Sequence, residues 1–412
     1  MSIRKREWVT QSGNKKEGWI LDYFDNAGIR RQKGFATKKA AESFSVTAKH
    51  EIKLGTHTAD SASITVSAAG ELWITTAENN GLERSSVAQY RQHLDYHLTP
   101  FLGKTKLNAL SVPLIRQFED DLSAAGRSAA MVRKVRVSLG SLLADAQERG
   151  LVARNVVRDL KGGRHKGKER RAERRQKGKL KVGVDIPTRE EIKAIIGALQ
   201  GRYRPLLLTA IFTGLRASEL RGLRWVNVDF EKRELHVVER ADRYDEMGQP
   251  KSEAGERSVP IPPIVVNTLK EWKLACPKRA TGRKDADGNA IMELDLVFPN
   301  GRGHVESRAN IVRRGLWPTQ VRAGVCVDSG KLDEDGNPVL IAKYKGLHAL
   351  RHFYASWCIN RTQDGGLNLP PKSVQERMGH ASITLTLDTY SHLFPRGDDA
   401  DEMAAAENAL LA

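Results

Sequence analysis

Cysteine is scarce in this chain of 412 residues: Cys276, Cys326 and Cys358 lie far apart and none belongs to a CxxC pair. Neither a disulfide framework nor a structural zinc site is expected from them. Long apolar runs are missing as well. The longest, around residues 203–212, falls short of the roughly 18 residues of a membrane span and is expected to be a buried helix. The opening MSIRKREWVT turns polar where a secretion signal needs an apolar stretch, and there is no lipidation signal, so a cytoplasmic protein is expected. Nor does the sequence hold a Walker loop or an acidic metal cluster, and no cofactor and no metal are expected.

Acidic residues are outnumbered, 50 against 67 Lys and Arg, which leaves a net charge of +17 and a pI near 9.8. That balance favours a polyanionic partner. Without a long basic amphipathic helix the partner is expected to be nucleic acid and not an anionic membrane surface.

Three kinds of segment follow one another. Residues 8–54 alternate and turn like a small sheet followed by a helix: EWVTQ, GWILDYFD after a GNKKEG turn, RRQKGFAT after NAG, then KKAAESFSVTAKHEIK. From about Ile64 to Arg158 the spacing becomes helical, with Val87, Tyr90, Leu94 and Leu98 on one face and Val135, Leu139, Leu142 and Ala146 on another. Arg133 and Arg136 fall away from the second face and are expected to be available to a ligand. Residues 161–181, KGGRHKGKERRAERRQKGKLK, carry 11 Lys or Arg against two Glu and could not form a core. They read as a linker. A charge run is ordinarily a solvated segment, but between two domains of a basic protein Arg164, Lys168, Arg171 and Arg175 are well placed to lie along a phosphate backbone and release counterions.

The last segment opens on IPTREEIKAIIGAL, where Thr188 and Glu191 form a capping box and Ile192, Ile195, Ile196 and Leu199 an apolar face. Helices are expected at 203–213, 263–274, 306–316, 348–360, 371–378 and 383–392. The stretches RELHVVE (233–239) and RSVPI (257–261) bracket a polar turn and read as a hairpin. The fold class expected is therefore multidomain and mostly α: a three-stranded sheet plus helix, a helical bundle, and a mainly α domain with one small antiparallel sheet.

Four short patches in that last segment hold polar side chains: TGLRASEL (213–220), PKSEAGERSVPI (250–261), GLHALRHFYAS (346–356) and MGHASITLTLDTYSHL (378–393). Singly each is bland, for an Arg after a turn is usually a surface cation, a loop Lys is usually solvated and a helical His is more often structural. Together they supply what phosphoryl transfer to a protein nucleophile requires. Two Arg forks, Arg216 and Arg351, can bind the extra negative charge of the transition state bidentately. A tyrosine, whose pKa is about 10, needs a nearby base or a cationic site before it attacks. His348, one helical turn from Arg351, is positioned to accept the phenolic proton of Tyr390; Lys251 could protonate the leaving 5′ oxygen; His380 would donate to a phosphate oxygen.

These patches resemble the boxes of the tyrosine recombinases, the phage-integrase family, whose pattern runs Arg, Lys, His-x-x-Arg, His or Trp, then Tyr. The likeness covers about residues 185–395, with six functional positions in order and ten residues from His380 to Tyr390. It implies that Arg216, Lys251, His348, Arg351 and His380 bind and activate a scissile phosphate, that Tyr390 forms a 3′-phosphotyrosyl bond, and that Glu219 supports the first Arg. It also implies an arm-type DNA-binding domain at 1–60, a helical core-binding domain at 61–160, the basic linker at 161–184, the catalytic domain at 185–397 and a tail at 398–412 that docks on a neighbouring protomer. The expected partners are double-stranded DNA attachment sites, a homotetramer on synapsed DNA, and DNA-bending and directionality proteins.

One departure is the length of 318–346, in which DEDGNP reads as a hairpin turn. Three rivals remain. HALRH sets His348 and His352 at the i, i+4 spacing of a zinc-binding helix, but Ala349 stands where the catalytic Glu of HExxH belongs. A non-catalytic DNA-binding protein would share the basic linker and the bundle. A type IB topoisomerase would share the chemistry.

Overall fold

The computed structural model describes residues 1–9, 15–26, 28–55, 57–60, 62–160, 179–250, 252–394 and 399–411. By its internal contacts the chain divides into two units, 1–166 and 167–412.

The first unit begins with the expected sheet. Strands Ser2–Val9, Lys15–Phe24 and Arg30–Phe35 pair antiparallel in sequence order, and the first of them starts earlier than the alternation suggests. The helix Lys38–Lys53 follows, capped by Thr37, whose hydroxyl accepts from the Ala40 N–H. Leu21 and Tyr23 are buried, and the Tyr23 hydroxyl meets His57 Nε2 at 3.0 Å while His57 Nδ1 meets Glu51 at 2.9 Å.

Residues 66–148 form the bundle. Helices Val66–Asn79, Val112–Ala124 and Ala129–Glu148 pack with a fourth, composite helix made of Arg84–His93, Leu94–Leu98 and Thr99–Leu102. Leu94, Leu98, Phe118, Val135, Leu139 and Leu142 are all buried, each worth on the order of 1.5–3 kcal/mol of burial. Inside the composite helix Leu94–Leu98 widens into a π turn just before Pro100. Proline has no N–H to donate and its ring crowds the carbonyl one turn back, so a local π turn lets the helix run on.

The second unit has its core around the helix Arg204–Thr213, nearly all of which is buried. Thr188 and Glu191 do form the capping box of the helix Arg189–Ala198, and Glu191 is further held by Lys343 at 2.5 Å and by the Tyr344 hydroxyl at 2.6 Å. Helices Pro263–Ala275, His348–Ile359, Pro371–Met378 and Ile383–Tyr390 lie where expected. Strands Glu234–Val237 and Arg257–Pro260 pair antiparallel, with Val228–Asp229 as a third strand. A separate two-stranded pair, Arg240–Ala241 with Met247–Gly248, occupies the expected turn.

Two differences have physical causes. The helix expected at 306–316 runs on to Arg322, because the π turn Ile311–Leu316 absorbs Pro318 as Leu94–Leu98 absorbs Pro100. The sheet content is also larger than one small sheet. Hairpin Cys326–Leu332 with Pro338–Ala342 turns at DEDGN as expected, and a second hairpin, Arg279–Lys284 with Ala290–Glu293, turns at the near-identical DADGN. In each turn the first Asp accepts from the backbone N–H groups two and four residues on, an Asx turn. A helix Asp399–Leu411 follows, with Met403, Leu410 and Leu411 exposed. Among the described residues no helix is long and apolar enough to cross a membrane.

Candidate active site

Side chains from the polar patches of the second unit meet around residues 377–379. Gly214 ends the helix Arg204–Thr213 in the left-handed conformation (φ +59°), which reverses the chain so that Arg216 heads the helix Ala217–Gly222. Its guanidinium reaches Glu219 Oε1 at 2.7 Å and the Gly379 carbonyl at 2.8 Å, 163 residues away. Arg351, one turn into the helix His348–Ile359, donates to the carbonyls of Gly214 and Met378. The two cations that the sequence placed 135 positions apart thus grip neighbouring carbonyls of one turn, 378–379. Arg351 is only 4% exposed, and burial followed by its neighbour Arg216 lowers its pKa to about 10, so it stays charged at neutral pH.

Gly379 is where backbone and side chains leave no room. It sits at φ +61°, and a Cβ there would come within 2.6 Å of Arg257 Nη1 and 3.0 Å of the Ala254 carbonyl. Gly379→Ala is expected to cost roughly 1–2 kcal/mol from the left-handed backbone alone, and more from displaced Arg257. A thermal unfolding curve beside a strand-cleavage assay checks this, and an unchanged midpoint with unchanged cleavage would contradict it.

His380 follows, 7% exposed, its Nδ1 2.8 Å from the Thr386 hydroxyl and its ring parallel to that of Tyr390 with centroids 6.3 Å apart. Burial, then Arg351 and Arg216, lowers its pKa to about 4, so it is a neutral hydrogen-bonding group at pH 7. Tyr390 ends the helix Ile383–Tyr390, whose Ser382 cap accepts from the Leu385 N–H. Its ring is 2% exposed, and burial pushes the phenol up to about 12 against the pull of Arg351.

The expectation that His348 takes the phenolic proton meets a different geometry. His348 stands at the first residue of its helix, exposed, with its ring edge-to-face on His352 at 5.2 Å. The ring against the phenol is that of His352, whose Nδ1 lies 2.7 Å from the Tyr390 hydroxyl. The reason is helical geometry: the face that carries Arg351 inward puts the next residue, one full turn beyond His348, over the nucleophile helix. The pair on which the zinc reading rests is thereby divided between two uses.

Glu219 and Arg257 complete the arrangement. Glu219 is 3% exposed and receives the Arg216 N–H at 2.8 Å, the Arg216 guanidinium, and Arg257 Nη2 at 3.0 Å. Arg257 also donates to the carbonyls of Arg377 and Gly255, joining the hairpin strand to the 378–379 turn. Sequence reasoning quoted Arg257 within its patch without singling it out. The signal was there: in the strand Arg257–Pro260 it shares the inward face with buried Val259, and a charge on that face needs a partner.

Lys251 lies outside the described residues, as do Arg164, Lys168, Arg171 and Arg175. In the first unit Arg133 is exposed, but Arg136 is engaged by Glu119 at 2.9 Å, on a carboxylate that also holds Arg116.

Residues 187–396, just over half of the chain, match the model of the phage integrase family. The chain belongs to that family. Among curated relatives of this phage integrase family member is a tyrosine recombinase XerC-like protein of Caldanaerobacter subterraneus subsp. tengcongensis, 26% identical over 385 residues that cover 89% of each chain. The ICEBs1 integrase of Bacillus subtilis is 24% identical over 341 residues, 80% of each. Among solved structures, the Tn1549 transposon integrase in complex with a circular intermediate DNA superposes with a TM-score of 0.57 at 20% identity, covering 85% of this chain and all of that one. A lambda integrase tetramer bound to a Holliday junction gives 0.51 at 16% identity, covering 92% and 96%. At such identities the structural likeness establishes the fold. It is the mostly helical, multidomain architecture with small antiparallel sheets described above.

Proposed function

We propose that this integrase-family protein is a site-specific DNA recombinase that integrates or excises a mobile element, with Tyr390 as its nucleophile. The observation that carries the assignment is the convergence of Arg216, Arg351, His380 and Tyr390 on the 378–379 turn. The two guanidiniums would take the non-bridging oxygens of a scissile phosphate, and His348 and His380 would donate further hydrogen bonds. Tyr390 Oη attacks phosphorus, the P–O5′ bond breaks, and the 3′ end stays on the protein as a phosphotyrosyl ester. Lys251 is assigned as the acid that gives the 5′ oxygen its proton. The ester keeps the energy of the phosphodiester, so a 5′ hydroxyl can reverse the step and reseal the strand without ATP or metal.

The proposed partner is a double-stranded attachment site, supported by the net charge of +17 and by the DNA complexes in which related integrases were solved. Residues 1–60 are assigned as the arm-type DNA-binding domain, 61–160 as the core-binding domain with Arg133 toward DNA, 161–184 as the basic linker and 185–397 as the catalytic domain. A homotetramer is proposed on synapsed DNA, aided by DNA-bending and directionality proteins, in the cytoplasm. Deleting 398–412, which contains the helix with exposed Leu410 and Leu411, is expected to weaken synapsis more than single-site binding in gel-shift assays. Equal loss of both would remove the tail from the interface.

The test of the reaction is a suicide duplex, nicked beside the candidate crossover point of the element's circular junction, incubated with a chelator and without ATP. A covalent protein–DNA band on a denaturing gel, with the label mapping to the peptide that holds Tyr390, is the expected result. Tight binding without any adduct would favour a DNA-binding protein that does no chemistry. Equal cleavage of unrelated duplexes, with relaxation of supercoiled plasmid, would favour a topoisomerase.

A further inference from the structure

The hydrogen bond between His352 and Tyr390 has no counterpart in the chemistry assigned so far. We propose that His352 is a catalytic residue of the strand-cleavage step, accepting the phenolic proton of Tyr390 at its Nδ1 as the phenol oxygen attacks and returning it on religation. The proposal rests on the reading of Tyr390 as nucleophile, and it moves the base from the HxxR histidine to the residue after its arginine.

Geometry carries it. His352 Nδ1 lies 2.7 Å from Tyr390 Oη, within the reach required of a base, whereas the exposed His348 ring stands edge-to-face on His352 at 5.2 Å. The His352 ring is half-buried on the helix His348–Ile359, and its centroid is 5.9 Å from that of Tyr390 with the planes inclined at 59°. A base must be unprotonated before the attack and must gain basicity as the phosphate docks, since a ring held low is a weak base toward a buried phenol. The groups around His352 keep it unprotonated: burial, then His348 and Arg351 on its own helix, depress it to about 4, while Asp185, from the segment leading into Thr188, pulls the other way. Tyr390 and His380 face it from the nucleophile helix and the turn before it. A neutral ring with Nε2 protonated presents the Nδ1 lone pair to the phenol. Two neighbours then favour the imidazolium once the proton moves: Asp185, and the scissile phosphate when it docks on Arg216 and Arg351.

The step balances. The Tyr390 O–H breaks and its proton bonds to His352 Nδ1; the O–P bond forms; the P–O5′ bond breaks and O5′ takes a proton from the general acid. Religation reverses each transfer, with His352 handing its proton to the departing phenolate.

The experiment measures single-turnover cleavage on the nicked duplex with an ordinary phosphodiester and with a 5′-bridging phosphorothiolate. A thiolate leaves without protonation, so the sulfur substrate rescues variants that lack the leaving-group acid and not those that lack the base. His352→Gln keeps a polar group against the hydroxyl but cannot take a proton, and its folding is verified by thermal unfolding before rates are read. The expected result is cleavage slowed on the order of 100-fold at pH 7, equally slowed on the sulfur substrate, and rising with pH between 7 and 9 where the wild type is flat. Cleavage within threefold of wild type, or full rescue by sulfur, or a pH profile parallel to wild type would overturn the proposal. His348→Gln run alongside is expected to keep the wild-type pH profile, and a base-loss profile there would return the role to His348. An adduct that persists in Tyr390→Phe would instead fail the nucleophile assignment, an outcome distinct from all of these.

Discussion

Tyr390→Phe folds, binds attachment-site DNA as tightly as the wild type, and forms no covalent adduct. Each part of that expected result has its own cause. The ring of Tyr390 belongs to a small core with Tyr354, Cys358, Ile359, Val374 and Met378, and Phe keeps all of that packing. What is lost is one hydrogen bond to His352, and the half-buried Nδ1 left without its partner costs about 1 kcal/mol. DNA affinity is set by cations at phosphates, and the substitution removes none. Cleavage disappears because, among the described residues, the phenol hydrogen-bonded to His352 is that of Tyr390. Tyr354 lies in the same core, but its ring packs against Gly214, and it is the Tyr390 hydroxyl that meets His352. Denaturing gels of the suicide duplex, with gel shifts and melting curves in parallel, check the three parts separately. A surviving adduct would mean that another side chain is the nucleophile.

What could be read from the sequence, and what could not, divides along a physical line. Periodicity and caps report on contacts within a few residues, so the capping box at Thr188, the strands at 234–237 and 257–260, and the DEDGN turn were all legible. The order of the polar boxes was legible too, and it led to Arg216, Arg351, His380 and Tyr390, which the fold brings together. One helix end was not: the helix expected at 306–316 runs through Pro318 on a π turn. The hairpin at 279–293 was missed although its turn nearly repeats the one at 333–337, because short exposed strands carry little apolar alternation. Within the site the misses are contacts between distant segments. Nothing local says that Arg257 reaches the carbonyl of Arg377, 120 residues on, or that His352 and not His348 meets a tyrosine 38 residues away.

Glu219→Gln is expected to be the costliest single change to stability, although it removes only a charge. Glu219 is buried between two guanidiniums, and among the described residues it is the carboxylate that pairs with both. Burial by itself would raise its pKa; Arg257, then Arg216 and the Arg216 N–H, overrule burial and hold it at about 2 against an ordinary 4.5. A folded pKa below the unfolded one means stabilisation that is fully present above about 4.5 and lost as pH falls toward 2. A gap of that size corresponds to roughly 3 kcal/mol at pH 7. The amide can accept from one Arg but turns an N–H toward the other, which leaves a buried cation without its partner, a loss of about 3–5 kcal/mol in comparable buried pairs. Urea unfolding of both proteins at pH 7 and at pH 3 separates this from mere loss of packing. The difference between wild type and variant should shrink on acidification, since between about pH 4.5 and 2 the unfolded wild type's Glu219 takes up a proton that the folded one does not, while the amide does not titrate. A difference that stays constant would mean that Glu219 acts by shape. Arg216 would be freed in the variant as well, so cleavage should fall beyond what the remaining folded fraction accounts for. That excess measures how much of the phosphate site depends on the carboxylate that holds Arg216 and Arg257.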